Sequence, residues 1–173
     1  MADGTFAILM FVAGLTDMSR NYCGTETGCL GHIDTTPRLA LSFGEFDDPA
    51  TASNREIYIR YDLGHRNGPF GHALGISFSN GGEAWIGYGQ TYLWQPERSR
   101  FYTELHAMAG LYDADDGLDL GGPIQFRSGI EIGYENQSGV RYALSLDHRS
   151  NADIYRSNTG VETYMFRVSV PLK

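Results

Sequence analysis

From Glu56 onward, apolar and polar residues alternate with a period of two, which is the pattern of β-strands that have one apolar and one polar face. Glycine- and proline-containing turns, such as the Asn-Gly-Gly sequence at 80–82, interrupt the alternation at regular intervals. Seven strands are predicted in this part of the chain: Glu56–Gly64, Phe70–Asn80, Glu83–Trp94, Phe101–Tyr112, Ile124–Glu135, Gly139–His148 and Glu162–Leu172.

The chain before Glu56 is less regular. The apolar run Thr5–Leu15 predicts an eighth strand, and no helix is predicted because no segment repeats apolar residues at the helical period of 3.6. Residues 16–54 are rich in Gly, Thr, Asp and Pro and predict a long loop containing both cysteines and a short strand-like piece, Leu39–Phe46. We therefore expect a single all-β domain over residues 1–173.

Most predicted strands have one apolar face and one face of Gly, Arg and carboxylates. In Ile124–Glu135, for example, Phe126 and Ile130 alternate with Arg127 and Glu131. Two architectures fit this pattern. A soluble, lipocalin-like barrel would turn the apolar faces inward, whereas an outer-membrane barrel would turn them to lipid and pack the polar faces inside.

Three features favour the membrane barrel. Lys173 is the only lysine among 13 basic residues, and arginine suits charges that are packed and paired better than charges that wet a surface. The predicted strands, at about 9–12 residues, are long enough for a tilted strand to cross a bilayer. Aromatic residues of the apolar face flank two turns, as an interfacial belt would: Trp94 with Phe101, and Tyr134 with Tyr142. The predicted fold class is therefore all-β, an eight-stranded antiparallel transmembrane β-barrel of outer-membrane type.

Charge and hydropathy exclude two further classes. The 21 acidic residues exceed the 13 basic ones and give a net charge of -8, so no basic stripe is available to bind nucleic acid. The apolar run Thr5–Leu15 is too short for a helix that spans a bilayer, which needs about 17–25 residues. Asp3 stands where a signal peptide would carry basic residues, so we expect this chain to be the mature form of an exported protein.

Cys23 and Cys29 lie six residues apart in a Gly/Thr-rich segment, without a histidine or a second cysteine pair at metal-binding spacing. Such a pair is typical of a small loop-closing disulfide formed in an oxidising compartment. Two free thiols are the alternative. No metal site is predicted.

Three polar residues interrupt the apolar face near the chain's end. His148 and Ser150 are two residues apart and share the parity of Tyr142 and Leu144, while Glu162 begins the next strand with apolar parity as well. Since consecutive strands of this kind are antiparallel neighbours, all three side chains should meet at one end of the barrel's outer face. A polar trio on an apolar exterior is costly unless it has a use.

These residue types suit the nucleophilic cleavage of an ester. A serine becomes nucleophilic when an imidazole accepts its proton, and a carboxylate can orient that imidazole, so Ser150, His148 and Glu162 match the nucleophile, the base and the orienter. Asn151 follows the nucleophile and is a candidate oxyanion donor. On spacing alone, hydrogen bonding at a loop end explains the same residues, because His-x-Ser is common by chance.

At these residues the chain closely resembles the lipid A 3-O-deacylase (PagL) family. The resemblance is strong over about Gly121–Leu172 and diffuse from Glu56, and it is weak before that point. It rests on the order His-x-Ser-Asn-Ala, then Asn-x-Gly-x-Glu, at 148–152 and 158–162, and on the strand Phe126–Gly133 before them.

The resemblance implies an outer-membrane barrel that hydrolyses the ester at position 3 of lipid A and releases a 3-hydroxy fatty acid, without a metal or other cofactor. It implies that Ser150 is the nucleophile, His148 the base and Glu162 the orienter, on the lipid-facing exterior. Asn151 and Asn158 match further positions of the family's motif and are oxyanion candidates, whereas Asp153 stands where some members have glycine.

The expected partner is thus lipid A of lipopolysaccharide in the outer leaflet of the bacterial outer membrane. Arg149 and Arg156 flank the candidate site on its loop and either bind lipid A phosphates or are solvated. The sequence leaves open whether two copies form a homodimer. The alternative functions are a non-catalytic outer-membrane barrel, for adhesion or membrane integrity, and a soluble lipid-binding barrel.

Overall fold

A computed structural model describes residues 4–48 and 51–173. In this part of the chain it contains one α-helix, α1, and nine β-strands, β1 to β9. Their bounds in chain order are α1 Thr5–Asn21, β1 His32–Asp34, β2 Arg38–Asp48, β3 Thr51–Asn67, β4 Phe70–Ser79, β5 Ala84–Trp94, β6 Phe101–Asp113, β7 Ile124–Glu135, β8 Arg141–Ser150 and β9 Val161–Pro171.

Eight antiparallel strands close into a barrel. The hydrogen-bonded order is β3-β2-β9-β8-β7-β6-β5-β4, and β4 pairs with β3 to close the wall. The short strand β1 pairs with the last residues of β3, so it extends that strand's edge beyond β2. The predicted eight-stranded antiparallel barrel is therefore confirmed.

The barrel wall turns its apolar residues outward and its polar residues inward. On β7 and β8, Ile132 and Leu144 are 63% and 70% exposed, whereas their neighbours Glu131 and Ala143 are buried inside. Most of the other wall strands repeat this arrangement, as the period-two pattern predicts. This orientation is the reverse of a soluble barrel and matches a barrel whose exterior contacts lipid.

Charged residues fill the half of the interior that lies near the end of β8 and the start of β9. The guanidinium of Arg127 donates to Asp147 from Nε over 2.7 Å and to Glu56 from Nη1 over 3.1 Å. Arg149 binds the same Glu56 carboxylate, and the Arg127 guanidinium also lies 3.9 Å from the ring centroid of Tyr58. These buried charges are paired, as their burial requires.

A second group of ion pairs fills the other half of the barrel interior. Arg60 lies 2.8 Å from Asp62 and also contacts Glu104, while Arg167 donates to Glu131. Residues from β3, β6, β7 and β9 thus meet across the barrel axis. The scarcity of lysine is consistent with this interior, since planar guanidinium groups can bond two carboxylates at once.

The structure corrects the prediction of a strand at Thr5–Leu15, because this segment forms most of α1. A short apolar run has no periodicity that separates helix from strand. Here both sides of the helix are apolar: Met10 is fully buried against the barrel exterior, while Ile8 and Val12 on the other side are 62% and 60% exposed. No helix among the described residues combines the length and the apolar character needed to cross a membrane.

The structure also corrects the prediction of a long loop at residues 16–54. The described part of this segment contains the end of α1, β1 and β2, and the strand-like piece Leu39–Phe46 lies within β2. β2 is a full strand of the wall and takes the place in the barrel that was assigned to Thr5–Leu15. Between α1 and β1, Cys23 and Cys29 are joined by a disulfide.

Candidate active site

The end of β8 presents two polar side chains on the barrel exterior. His148 and Ser150 alternate with Asp147 and Arg149, which point inward and are bound by the interior ion pairs. In the sheet register His148 lies opposite Glu162 of β9. The two inward side chains therefore fix the strand segment that presents His148 and Ser150 outside.

The imidazole and the carboxylate of this register pair are in contact. His148 Nδ1 lies 3.3 Å from Glu162 Oε1, and the His148 side chain is 3% exposed against 30% for Glu162. Because Nδ1 faces the carboxylate, Nε2 is the ring nitrogen left for another partner. The structure thus brings His148 and Glu162 into contact.

A groove of about 570 Å³ adjoins these side chains. It lies on the barrel exterior between β5–β8 and the first turns of α1, and both His148 and Ser150 line it. Its volume falls within the range of about 300–1,000 Å³ that is usual for small-molecule sites. A nucleophile and a base in such a groove can act on a ligand that lies along the outer surface.

The loop after Ser150 is held by asparagine side chains. The backbone N–H of Asn151 donates to Asn158 Oδ1 over 3.0 Å, and Asn158 Nδ2 donates to Asp153 Oδ1 over 2.9 Å. The buried Asn151 amide also donates to the carbonyl groups of Leu120 and Ser157. Asn151 therefore has all of its N–H groups hydrogen-bonded, whereas Asn158 shows one bond for its two amide hydrogens.

The family of the chain follows from residues 55–171, which match the family model described as lipid A 3-O-deacylase (PagL). The match covers well over half of the chain and includes His148, Ser150 and Glu162. The chain belongs to the lipid A 3-O-deacylase (PagL) family. It is therefore an enzyme, a carboxylic ester hydrolase of the bacterial outer membrane that acts on lipid A.

Solved structures show the same fold at low sequence identity. The crystal structure of the outer membrane enzyme PagL has a TM-score of 0.60 and 16% identity, covering 78% of this chain and 99% of that one. A de novo designed transmembrane β-barrel has a TM-score of 0.56 and 10% identity, with 81% and 98% covered. Neisserial surface protein A gives 0.56 and 14%, with 82% and 99% covered.

Two further comparisons bear on this PagL-family chain. No curated protein sequence is similar enough to count as a relative. Neither the family match nor the structural neighbours support a homodimer. The family match begins at residue 55, so α1, the disulfide and β2 lie outside the part of this deacylase that defines its family.

The structure separates the two arginines proposed to bind lipid A phosphates. Arg149 points into the barrel, where it binds Glu56 and lies 5.6 Å from the Tyr112 ring centroid. It is therefore neither on the face that His148 and Ser150 share nor solvated, and we correct both alternatives predicted for it. Arg156 is exposed on the loop between β8 and β9 and remains a candidate.

Gly160 is a site residue that our sequence analysis did not identify. Its φ of 62° lies in the left-handed region that glycine adopts without strain, and a Cβ there would lie 3.1 Å from His148 Cε1. A side chain at 160 would therefore press on the imidazole ring. The signal was present in the sequence, since Gly160 lies within the Asn-x-Gly-x-Glu motif of this deacylase family.

Proposed function

We propose that Ser150, His148 and Glu162 form the catalytic triad of this deacylase and that they act from the lipid-facing side of the barrel. The observation that carries the proposal is the contact between His148 Nδ1 and Glu162 Oε1 beside Ser150, in a groove on an apolar exterior. Lipid around an apolar exterior excludes water, so charged and hydrogen-bonding side chains there cost free energy and are expected only where they have a function.

The reaction follows from the roles of these three groups. His148 Nε2 takes the Ser150 hydroxyl proton as Oγ attacks the ester carbonyl, and the Glu162 carboxylate stabilises the imidazolium that forms. Collapse of the tetrahedral intermediate breaks the bond to the lipid A 3-oxygen, which receives the proton from His148. Water, deprotonated by the same imidazole, then attacks the Ser150 acyl ester and releases the 3-hydroxy fatty acid.

Three polar residues of the loop after Ser150 have supporting roles in this proposal. Asn158 has an amide hydrogen beyond the one it gives to Asp153, which suits it to the oxyanion of the intermediate. Asn151 braces the loop through its bonds to Leu120 and Ser157. Exposed Arg156 lies on the same loop and is suited to a lipid A phosphate.

The position of the triad along the barrel agrees with its substrate. β8 is the seventh of the eight wall strands in chain order, and consecutive wall strands run in opposite directions. If the first wall strand starts at the periplasmic side, β8 therefore also runs from the periplasmic side to the cell surface. Ser150 then lies toward the outer leaflet, where the acyl esters of lipopolysaccharide are found.

The proposal is tested by mass spectrometry of lipid A after incubation with the full chain refolded in detergent. The expected product has lost one 3-hydroxyacyl mass, with the free 3-hydroxy fatty acid in the same reaction. A second lipid A that already lacks the 3-O-acyl chain should remain unchanged. Unaltered lipid A from a barrel with normal heat-modifiable gel mobility would contradict the proposal and favour a non-catalytic barrel.

Replacing Glu162 with glutamine should lower kcat for deacylation about 100-fold or more, with little change in KM. The amide keeps the size of the side chain but cannot stabilise the imidazolium that forms in the transition state. Initial rates of fatty acid release measure the effect. Glu135→Gln is the matched control, because Glu135 binds Arg141 at the other end of the barrel and should leave the rate unchanged.

A further inference from the structure

Helix α1 is seated firmly on the outside of the barrel. Its fully buried Met10 packs against Tyr92 and Leu105 of the wall, and Gly14 lies so close to Phe70 that a Cβ would overlap the ring. Phe11 adds a ring contact to Phe70 at 6.5 Å between centroids. The helix is therefore a fixed part of the exterior and defines the shape of the surface around it.

The groove beside the triad exists because small residues line it on both sides. Alanine occupies outward positions of β6 where the neighbouring wall residues are Leu105 and Leu111, and alanine and glycine face it from the start of α1. The apolar residues that line it are Gly4 just before the helix, Ala7 and Phe11 of α1, and Ala107, Ala109 and Phe126 of the barrel, while Gln90 and Ser128 add two polar side chains on the barrel side. An apolar channel thus leads away from Ser150 and His148.

We propose that α1 forms the outer wall of a channel that holds the 3-hydroxyacyl chain of the substrate and sets the chain length this enzyme prefers. The proposal rests on the function proposed above, since it places the acyl chain beside Ser150. The channel is the apolar part of the groove that His148 and Ser150 line, so its polar groups lie where the ester would lie. An acyl chain is the ligand that such a distribution matches.

The channel explains how an enzyme at a lipid surface could distinguish one acyl chain from another. In bulk lipid the hydrocarbon neighbours are interchangeable, so an open barrel face gives no preference for length. An acyl chain enclosed between α1 and the wall contacts protein on two sides. Each methylene group that fits into the channel, or is excluded from it, then changes the binding affinity by up to about fourfold. Residues of α1 then act on specificity although they lie outside the family match.

The test narrows the channel from the helix side. Ala7→Phe places a ring in the groove, and Ile8→Phe is the matched control because Ile8 is the next residue but points away from the barrel. The full chain is refolded in detergent and assayed on esters with acyl chains of four to fourteen carbons. Ala7→Phe should lower the ratio of kcat/KM for the twelve-carbon ester to that for the four-carbon ester at least about tenfold. Ile8→Phe should retain the wild-type ratio.

A second readout does not depend on hydrolysis. A twelve-carbon 3-hydroxy fatty acid with a photoreactive group at its far end should crosslink to α1 in the wild type and in Ser150→Ala, and much less in Ala7→Phe. The channel would be overturned if Ala7→Phe kept the wild-type dependence of kcat/KM on chain length and crosslinked to α1 as strongly as the wild type. The same result is expected if bulk lipid or detergent, rather than the acyl chain, fills the groove. Crosslinking to α1 without any deacylation would instead support the channel and contradict the proposed function. If Ala7→Phe fails to fold, Ala109→Phe narrows the same groove from the barrel side.

Discussion

Replacing Ser150 with alanine should abolish 3-O-deacylation, with a fall in kcat of at least about a thousand-fold, while the barrel remains folded. The change removes the proposed nucleophile and only one oxygen atom, so it leaves no cavity that would destabilise the wall. Loss of a triad nucleophile leaves only the catalysis that substrate binding and oxyanion stabilisation supply. The measurement is the rate at which the 3-hydroxyacyl mass is lost from lipid A, followed by mass spectrometry.

The same strand offers a matched control for this substitution. Ser145 lies on β8 but points into the barrel and is buried there, so Ser145→Ala should leave the rate unchanged. Heat-modifiable gel mobility establishes that each variant is folded. Deacylation by folded Ser150→Ala at a rate near that of the wild type would exclude Ser150 as the nucleophile.

Replacing Arg127 with methionine should destabilise the barrel by about 3–5 kcal/mol. Its guanidinium is fully buried and bonds the carboxylates of both Asp147 and Glu56, and neither acid can reach water when this partner is lost. Methionine fills much of the volume, so the effect reports the guanidinium lost by Asp147 and Glu56, of which Glu56 keeps Arg149, rather than a void. The free energy of unfolding is measured by urea titration of the barrel in lipid vesicles.

An exposed arginine on the neighbouring part of the barrel provides the comparison. Arg55 lies 3.6 Å from Glu45, with the two side chains 77% and 65% exposed, so Arg55→Met should change stability by less than about 1 kcal/mol. Equal effects of the two substitutions would mean that the interior ion pairs contribute no more than surface pairs. In that case the excess of arginine in this chain would need another explanation.

The barrel could be predicted because alternation with period two is a local property of the sequence. The parity of β8 places Tyr142, Leu144, His148 and Ser150 on one face regardless of how the rest of the chain folds. The sheet register then places Glu162 opposite His148, and the structure has this pairing. Fold and face could therefore be inferred from the sequence, and so could the contact between His148 and Glu162.

The prediction for Arg149 is wrong although the same parity argument covers it. The predicted strand ends at His148, which leaves Arg149 in a loop whose side chains can point to either side. In the structure β8 continues to Ser150, and an odd-numbered residue of that strand points inward. The end of a strand is poorly defined by sequence, because the last pairs depend on the register with the neighbouring strand.

Helix α1 could not be predicted from its own residues. An amphipathic helix shows a polar stripe, but this one contacts an apolar barrel on one side and is exposed and apolar on the other. Its identity as a helix therefore depends on a surface formed by distant strands. The hydrogen bonds that hold Asn151 to Leu120 and Ser157 depend in the same way on two loops that meet only in the folded protein.

The surface against which α1 packs also constrains the order in which the protein assembles. The helix precedes all the strands of the wall in the chain, yet the residues it packs against, Phe70, Tyr92 and Leu105, belong to β4, β5 and β6. That surface does not exist until these strands have paired, and contacts so distant in sequence form late because the intervening chain must first be ordered. Insertion of the barrel should therefore precede docking of the helix, so a segment that is made before these strands reaches its place after them.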